Sequence, residues 1–234
     1  MNGSNDDTAP DAADSLQSVL RSRFSCRAFL PRPVPRETIE RILRMAQRSA
    51  SWCNSQAWQL HVTEGAGTER FRRELLAHVA ADPEGDSDIE RPREYRGVYL
   101  ARRRECGFQL YGALGIARGD REGYARQGLE NFRLFGAPHV AIVTSDEALG
   151  PYGAVDCGAF VSTFLTAASA CGVATIAQAA LARQASFIHR FFGIGADRLV
   201  VCGISFGYAD AAHPANGFRT NRASVEEAVT WVVG

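Results

Sequence analysis

Two short stretches of this chain carry side chains better suited to chemistry than to packing. The first, Arg23-Phe24-Ser25-Cys26-Arg27-Ala28-Phe29, sets two arginines four positions apart with a serine between them. Guanidinium groups pair bidentately with phosphate oxygens and a hydroxyl adds another bond, so this spacing can fork around a phosphate. Each such charge-assisted bond is worth roughly 1.5–3 kcal/mol. The second stretch is Ser51-Trp52-Cys53-Asn54-Ser55-Gln56-Ala57-Trp58. It occupies a helix-to-strand junction, where a few small polar residues are the rule. Two indoles and two carboxamides, which both donate and accept, suit a flat heteroaromatic ligand. The same residues could instead plug the core and cap the preceding helix, and taken alone this segment leaves both readings open.

These stretches must be held by the elements around them. Asp14 or Ser15 can cap a short first helix carrying Leu16, Val19 and Leu20. Pro35 suits the start of the next helix, which runs to about Arg48 with Ile39, Ile42, Leu43 and Ala46 on one face. Residues 57–63 alternate as a half-buried strand. Thr68 is placed to cap a helix bearing Phe71, Leu75 and Val79. The charged run 82–94, with Pro83, Gly85 and Pro92, reads as a mobile loop and a candidate lid. Helices are expected over 95–117 and from the Asp120 cap through Phe135, and a short buried strand over 139–144. From Ala154 to Cys171 nearly every side chain is small or apolar, which predicts a helix buried on all sides, in the middle of a single domain or at a dimer core. Asp156 and the hydroxyls argue against a membrane span there. Phe187 to Phe192 looks helical, Leu199 to Phe206 like a central strand, and Ser224-Val225-Glu226-Glu227 like a capping box. About four helices around two or three strands distant in sequence, without regular βαβ alternation, give an α+β layer fold.

Composition narrows the function classes. At 234 residues the chain can bury one substantial core, so 14–234 reads as a single domain behind a disordered tail at 1–13. Net charge is zero, so no bulk field draws the protein to nucleic acid or to an acidic membrane. All 26 basic residues are arginine, and the Arg102-Arg103-Arg104 cluster reads as a solvated helix face. Six cysteines without paired spacing, and a polar acidic start that is not expected to act as a secretory signal, suggest a reducing cytoplasm. The five histidines are isolated, so no metal site is expected, and no G-x-G-x-x-G or Walker pattern occurs.

Taken together, the two stretches resemble the FMN-dependent nitroreductase family, whose pattern is approximately Arg-Arg-Ser-x-Arg-x-Phe, a helix, then Pro-Ser-x-x-Asn-x-Gln-Pro-Trp. This chain departs at Phe24, Ala50 and Ala57. Four further segments are similar to the family in the same order. They are Asn131-Phe132-Arg133-Leu134-Phe135-Gly136-Ala137-Pro138, then Asp156-Cys157-Gly158-Ala159-Phe160 with Gly172-Val173-Ala174-Thr175, and Phe218-Arg219-Thr220-Asn221-Arg222.

The resemblance implies a nitroreductase-like α+β fold with a central mixed β-sheet, flanking helices, a long buried helix and an intertwined homodimer. It implies FMN, with Arg23, Phe24, Ser25, Arg27 and one or both of Arg219 and Arg222 around its phosphate. Ser51, Trp52, Asn54 and Gln56 would lie at the ribityl chain or the ring, reaching across the subunit interface. Gln178, Ala179 and Ala180 would pass over the ring, where a backbone N–H meets flavin N5. No side-chain catalyst is implied. NADPH or NADH would donate hydride and a nitroaromatic or quinone-type acceptor would take it, each stacking about 3–3.5 Å from N5 in a ping-pong cycle.

Overall fold

The computed structural model describes residues 11–234. Most of the expected tail therefore lies outside the described residues. The first helix, α1 (Ala12–Ser22), already includes Ala12 and Ala13. Asp11 precedes it without a side-chain capping bond, so neither Asp14 nor Ser15 is the cap.

Helix α2 (Arg36–Ala46) forms where the periodicity predicts it, burying Ile39, Ile42 and Ala46 along one stripe. It leads through the tryptophan-bearing loop into strand β2 (Trp58–Val62). Helix α3 (Ala66–Ala81) starts earlier than expected: Gly65 is its cap, and Thr68 sits inside it. The Thr68 hydroxyl is buried against the Thr63 hydroxyl and the Pro138 carbonyl instead of capping the helix. Helices α4 (Gly97–Ala113) and α5 (Arg121–Leu129) follow. Asp120 does cap α5, accepting from the Gly123 N–H, but the helix stops at Leu129 and does not reach Phe135. It cannot continue, because Leu134, Phe135 and Gly136 all take positive φ.

The sheet is five-stranded. Its centre is β5 (Arg198–Ala209), which pairs antiparallel with β3 (His139–Asp146), with β4 (Ala174–Gln178) and with the two-residue β1 (Phe29–Leu30). Strand β2 borders β3, also antiparallel. The parallel pairings among the described residues are two isolated bridges, Ser25 with Thr175 and Asp86 with Gln184. Successive residues of β3 alternate between faces. Val140 and Ile142 join a core with Phe71, Leu75 and, from α7 (Ala185–Phe192), Phe187 and Ile188. Ala141 and Val143 join the opposite core with Ile42, Trp58 and, from α6 (Gly150–Ala170), Phe160 and Phe164. Fully burying one such phenylalanine contributes roughly 1.5–3 kcal/mol. The fold is thus a sheet between two helical layers. The eight α-helices among the described residues, down to the one-turn α8 (Val225–Ala228), stand on segments that the sequence marks as helical, whereas the five strands exceed the expected two or three, since β1 and β4 are too short to show a period. The capping box at Ser224 and Glu227 is formed.

Within one chain helix α6 does not match the single-domain form of the expectation, while its burial at a dimer core is not tested by a single chain. It is not buried on every side: Asp156, Cys157, Phe160, Phe164 and Ala168 face the core, while Val155, Gly158, Ala159 and Ser162 form an exposed stripe. Val155 is 66% exposed. The small, apolar character of that stripe suits contact with another surface, which a single chain does not supply.

The segment expected to be a mobile lid is half tethered. Asp86 pairs its backbone with Gln184, and its carboxylate accepts from the Ser186 N–H at the start of α7. Asp88 accepts from the Val200 N–H at 2.7 Å and from His189 Nε2 at 2.9 Å. Residues 82–88 therefore form a strap across α7 and β5, and only the part beyond Asp88 is left for a lid.

Candidate functional site

The arginines collected by their spacing converge in space. Arg23, Phe24, Ser25 and Arg27, from the loop after α1, face Phe218, Arg219, Thr220 and Arg222 of the C-terminal segment across a cleft of about 670 Å³. Asn216, 5% exposed, welds the two segments together. Its Oδ1 accepts from the Arg27 N–H at 2.8 Å, while its Nδ2 donates to the Ala28 and Asp210 carbonyls. Arg27 Nη1 donates to the Ser25 carbonyl, which turns the guanidinium back along its own loop. Arg219 lies 3.9 Å from the centroid of the Phe24 ring and donates to the Asn216 and Phe218 carbonyls. Phe24, where the family pattern has arginine, thus serves as a platform that holds another arginine.

Four arginines crowd this one cleft without a counter-charge beside them. Among the described residues, no carboxylate pairs with Arg23, Arg27, Arg219 or Arg222, although ten other arginine–carboxylate contacts occur. Arg23 is held below the usual arginine value by burial and then by the charge of Arg222. Arg27 is also lowered by burial, against a smaller opposing effect of Cys106. Crowded like charges with part of their hydration removed form a site for an anion. The group fits a phosphate, whose several acceptor oxygens match forked donors.

The tryptophan loop lies elsewhere. Ser51, Trp52, Asn54 and Gln56 do not line the arginine cleft within one chain. Trp58 is core, 5% exposed, stacked on Phe160 with its Nε1 donating to Gln47. Trp52 is its opposite at 62% exposed, with only Tyr152 against its edge. The Ser51 hydroxyl is used internally, accepting from the Gln56 N–H. Cys53, Asn54 and Gln56 all have positive φ (50°, 56° and 49°). Each such non-glycine residue costs on the order of 1 kcal/mol, so the surroundings must hold the loop in this shape. Asp156, 7% exposed on α6, accepts from the Trp52 N–H and from the Ser55 hydroxyl.

The third predicted group follows β4. The Gln178 side chain is consumed by the fold: Nε2 donates to the Asn131 carbonyl at 2.8 Å, and Oε1 accepts from the Ser205 hydroxyl. Any ligand contact there belongs to the main chain at Ala179 and Ala180, of which Ala179 is exposed. Cys106, Thr220 and Asn216 are site residues that the sequence reading missed. Thr220 stood inside a matched segment; for Cys106, on α4, nothing in its own neighbourhood signalled the cleft.

A five-stranded antiparallel sheet between helical layers, with an arginine cleft between the loop before β1 and the C-terminal segment, defines a nitroreductase-type fold. The Nitroreductase family model matches residues 20–208. The chain belongs to the nitroreductase family. It is 34% identical over 220 residues to nitroreductase NfnB of Mycolicibacterium smegmatis, covering 93% of this chain and 92% of that protein. It is also 34% identical over 209 residues to a 4-nitrobenzoate reductase of Pseudomonas putida, covering 89% and 92% respectively. The crystal structure of the FMN-dependent NfnB from Mycobacterium smegmatis in complex with NADPH superposes with a TM-score of 0.90 at 32% identity, covering 95% of this chain and all of that one.

Proposed function

We propose that this protein is an FMN-dependent NAD(P)H oxidoreductase that reduces nitroaromatic or quinone-type acceptors. The observation that carries this reading is the four-arginine cleft with no internal counter-charge. Arg23, Arg27, Arg219 and Arg222, with the Ser25 hydroxyl, would bind the FMN phosphate. The main chain at Ala179 and Ala180 would orient the ring, and Asn54 and Gln56 would contact the ribityl chain or the ring edge. When bound, the flavin would supply two-electron hydride transfer through N5, from NAD(P)H to the acceptor in ping-pong alternation. Parallel double-reciprocal lines are expected, and convergent lines would exclude the alternation.

The tryptophan loop does not reach the arginine cleft of its own chain, and α6 leaves a small-residue apolar stripe uncovered. Both features support a homodimer in which each loop completes the other subunit's site. The interface would be of the order of 2,000–5,000 Å². A sedimentation experiment that finds an FMN-loaded monomer overturns the dimer. Residues 89–94, the part of the expected loop beyond Asp88, would keep the role of a lid over the acceptor. Six free thiols fit a reducing compartment such as the cytoplasm.

The deciding experiment is an absorption spectrum of the purified protein followed by NADPH titration. A bound yellow chromophore that bleaches on NADPH and recovers on a nitroarene is expected. Protein that stays colourless after incubation with FMN overturns the reading.

A further inference from the structure

We infer that Asp156 is a positioning residue that holds the tryptophan loop in its cofactor-ready shape; this rests on the flavin reading above. Asp156 is nearly buried, and among the described residues no cation pairs with it. All its hydrogen bonds go to one place: the Trp52 N–H at 3.1 and 3.2 Å, and the Ser55 hydroxyl at 3.1 Å. A carboxylate kept for core stability would meet a guanidinium or donors of the sheet. This one meets only the loop.

The loop needs such a holder. Three of its residues sit in the left-handed region without being glycine, and they relax if the loop is released. Its ends are fixed from two rigid elements. Asp156, on α6, holds Trp52 and Ser55, and Tyr152, one turn earlier, meets the edge of the Trp52 ring at 4.7 Å. On the exit side Arg198, from the start of β5, donates to the Ala57 carbonyl at 3.1 Å while also gripping the Thr144 carbonyl at 2.9 Å. Between these anchors Asn54 and Gln56 are exposed and available to a ligand. The α6 face that carries Val155 and Ala159 flanks Asp156, so the residue sits where the loop and the uncovered stripe meet. Asp156 therefore links loop shape to the surface proposed to join the subunits.

The test uses the full chain with Asp156→Ala, Asp156→Asn and Ser55→Ala, each measured for FMN affinity, for hydrogen exchange at the Trp52 amide, and for kcat and KM at saturating FMN. Asp156→Ala is expected to speed Trp52 exchange and to weaken FMN roughly tenfold or more. It should also change kcat or the acceptor KM even when the cofactor is saturating. Asp156→Asn keeps an acceptor for the Trp52 N–H and a group that can bond Ser55, so it should recover most of the loss. A structural role alone would lower the melting temperature and leave FMN affinity, kcat and KM at wild-type values; that result overturns the inference. If Asp156→Ala does not fold, Ser55→Ala decides: wild-type Trp52 exchange and FMN affinity in that variant overturn it equally. A wild-type chain that binds no FMN overturns the functional reading, and the inference falls with it.

Discussion

Replacing Asp88 with alanine should open the strap that ties residues 82–88 to the sheet. In the native chain Asp88 Oδ2 accepts two bonds, from His189 Nε2 and from the Val200 N–H. His189 Nδ1 faces the Ile194 carbonyl at 3.2 Å, so both ring nitrogens point at acceptors, which only the imidazolium satisfies fully. Burial pushes the His189 pKa down, but the Asp88 hydrogen bond, the Ile194 carbonyl and the charges of Asp88 and Asp86 outweigh it, and the net shift is upward. A raised histidine stabilises fully below its ordinary range near about 6.5, and the contribution is lost as pH climbs through the raised value. The side chains are 20% and 22% exposed, so solvent screens the pair in part. The lower end of the range for a charge-assisted bond then applies, about 1.5 kcal/mol. At about 1.4 kcal/mol per decade, that is roughly a tenfold rise in local opening. Hydrogen exchange of peptides covering 82–96 is the assay. Corrected for intrinsic rates, wild-type protection should fall as pH rises above about 6.5, and Asp88→Ala should remove both the protection and its pH dependence. Identical exchange in the two proteins, or a flat wild-type profile, would refute the reasoning.

Other outcomes follow from the same structure. Arg27→Ala and Arg219→Ala should each weaken FMN by about 10- to 100-fold without unfolding the chain in excess cofactor, by fluorescence titration. Gly85→Ala should destabilise the protein by about 1 kcal/mol or more in urea: φ there is +58°, and a Cβ would sit 2.0 Å from the Arg183 carbonyl oxygen. Trp58→Ala removes a ring stacked at 5.0 Å on Phe160 and should lower stability by about 3–5 kcal/mol. Trp52→Ala, by contrast, should leave the urea midpoint of the isolated chain almost unchanged, since that ring is exposed.

Much of this molecule can be read from local spacing, and the remainder fails for identifiable reasons. Ile39, Ile42 and Ala46 announced α2 because helical period and burial coincide, and His139 to Thr144 announced β3 because it is apolar on both faces. The phosphate-type arginines were legible because Arg23 and Arg27 share one loop. Their convergence with Arg219 and Arg222 came from the family pattern, since no local rule joins segments so far apart. Thr68 misled because a threonine before an apolar run looks like a cap, whereas here Gly65 turns the chain and the hydroxyl is spent on Thr63 and Pro138. α6 was read as buried all round because small residues read as burial, yet Gly158, Ala159 and Ser162 stand exposed on a single chain. The strap was taken for a free loop because its anchors, Ser186, His189 and Val200, lie about a hundred positions downstream.

The uncompensated guanidiniums carry a consequence for the life of the chain. Without a bound anion they repel one another, and the empty protein is the less durable form. A dianion present at about a hundred times its dissociation constant would add about 2.7 kcal/mol to the folded state. Cells short of vitamin-derived flavin should therefore hold less of this protein at unchanged transcription, because proteases clear the empty chains first.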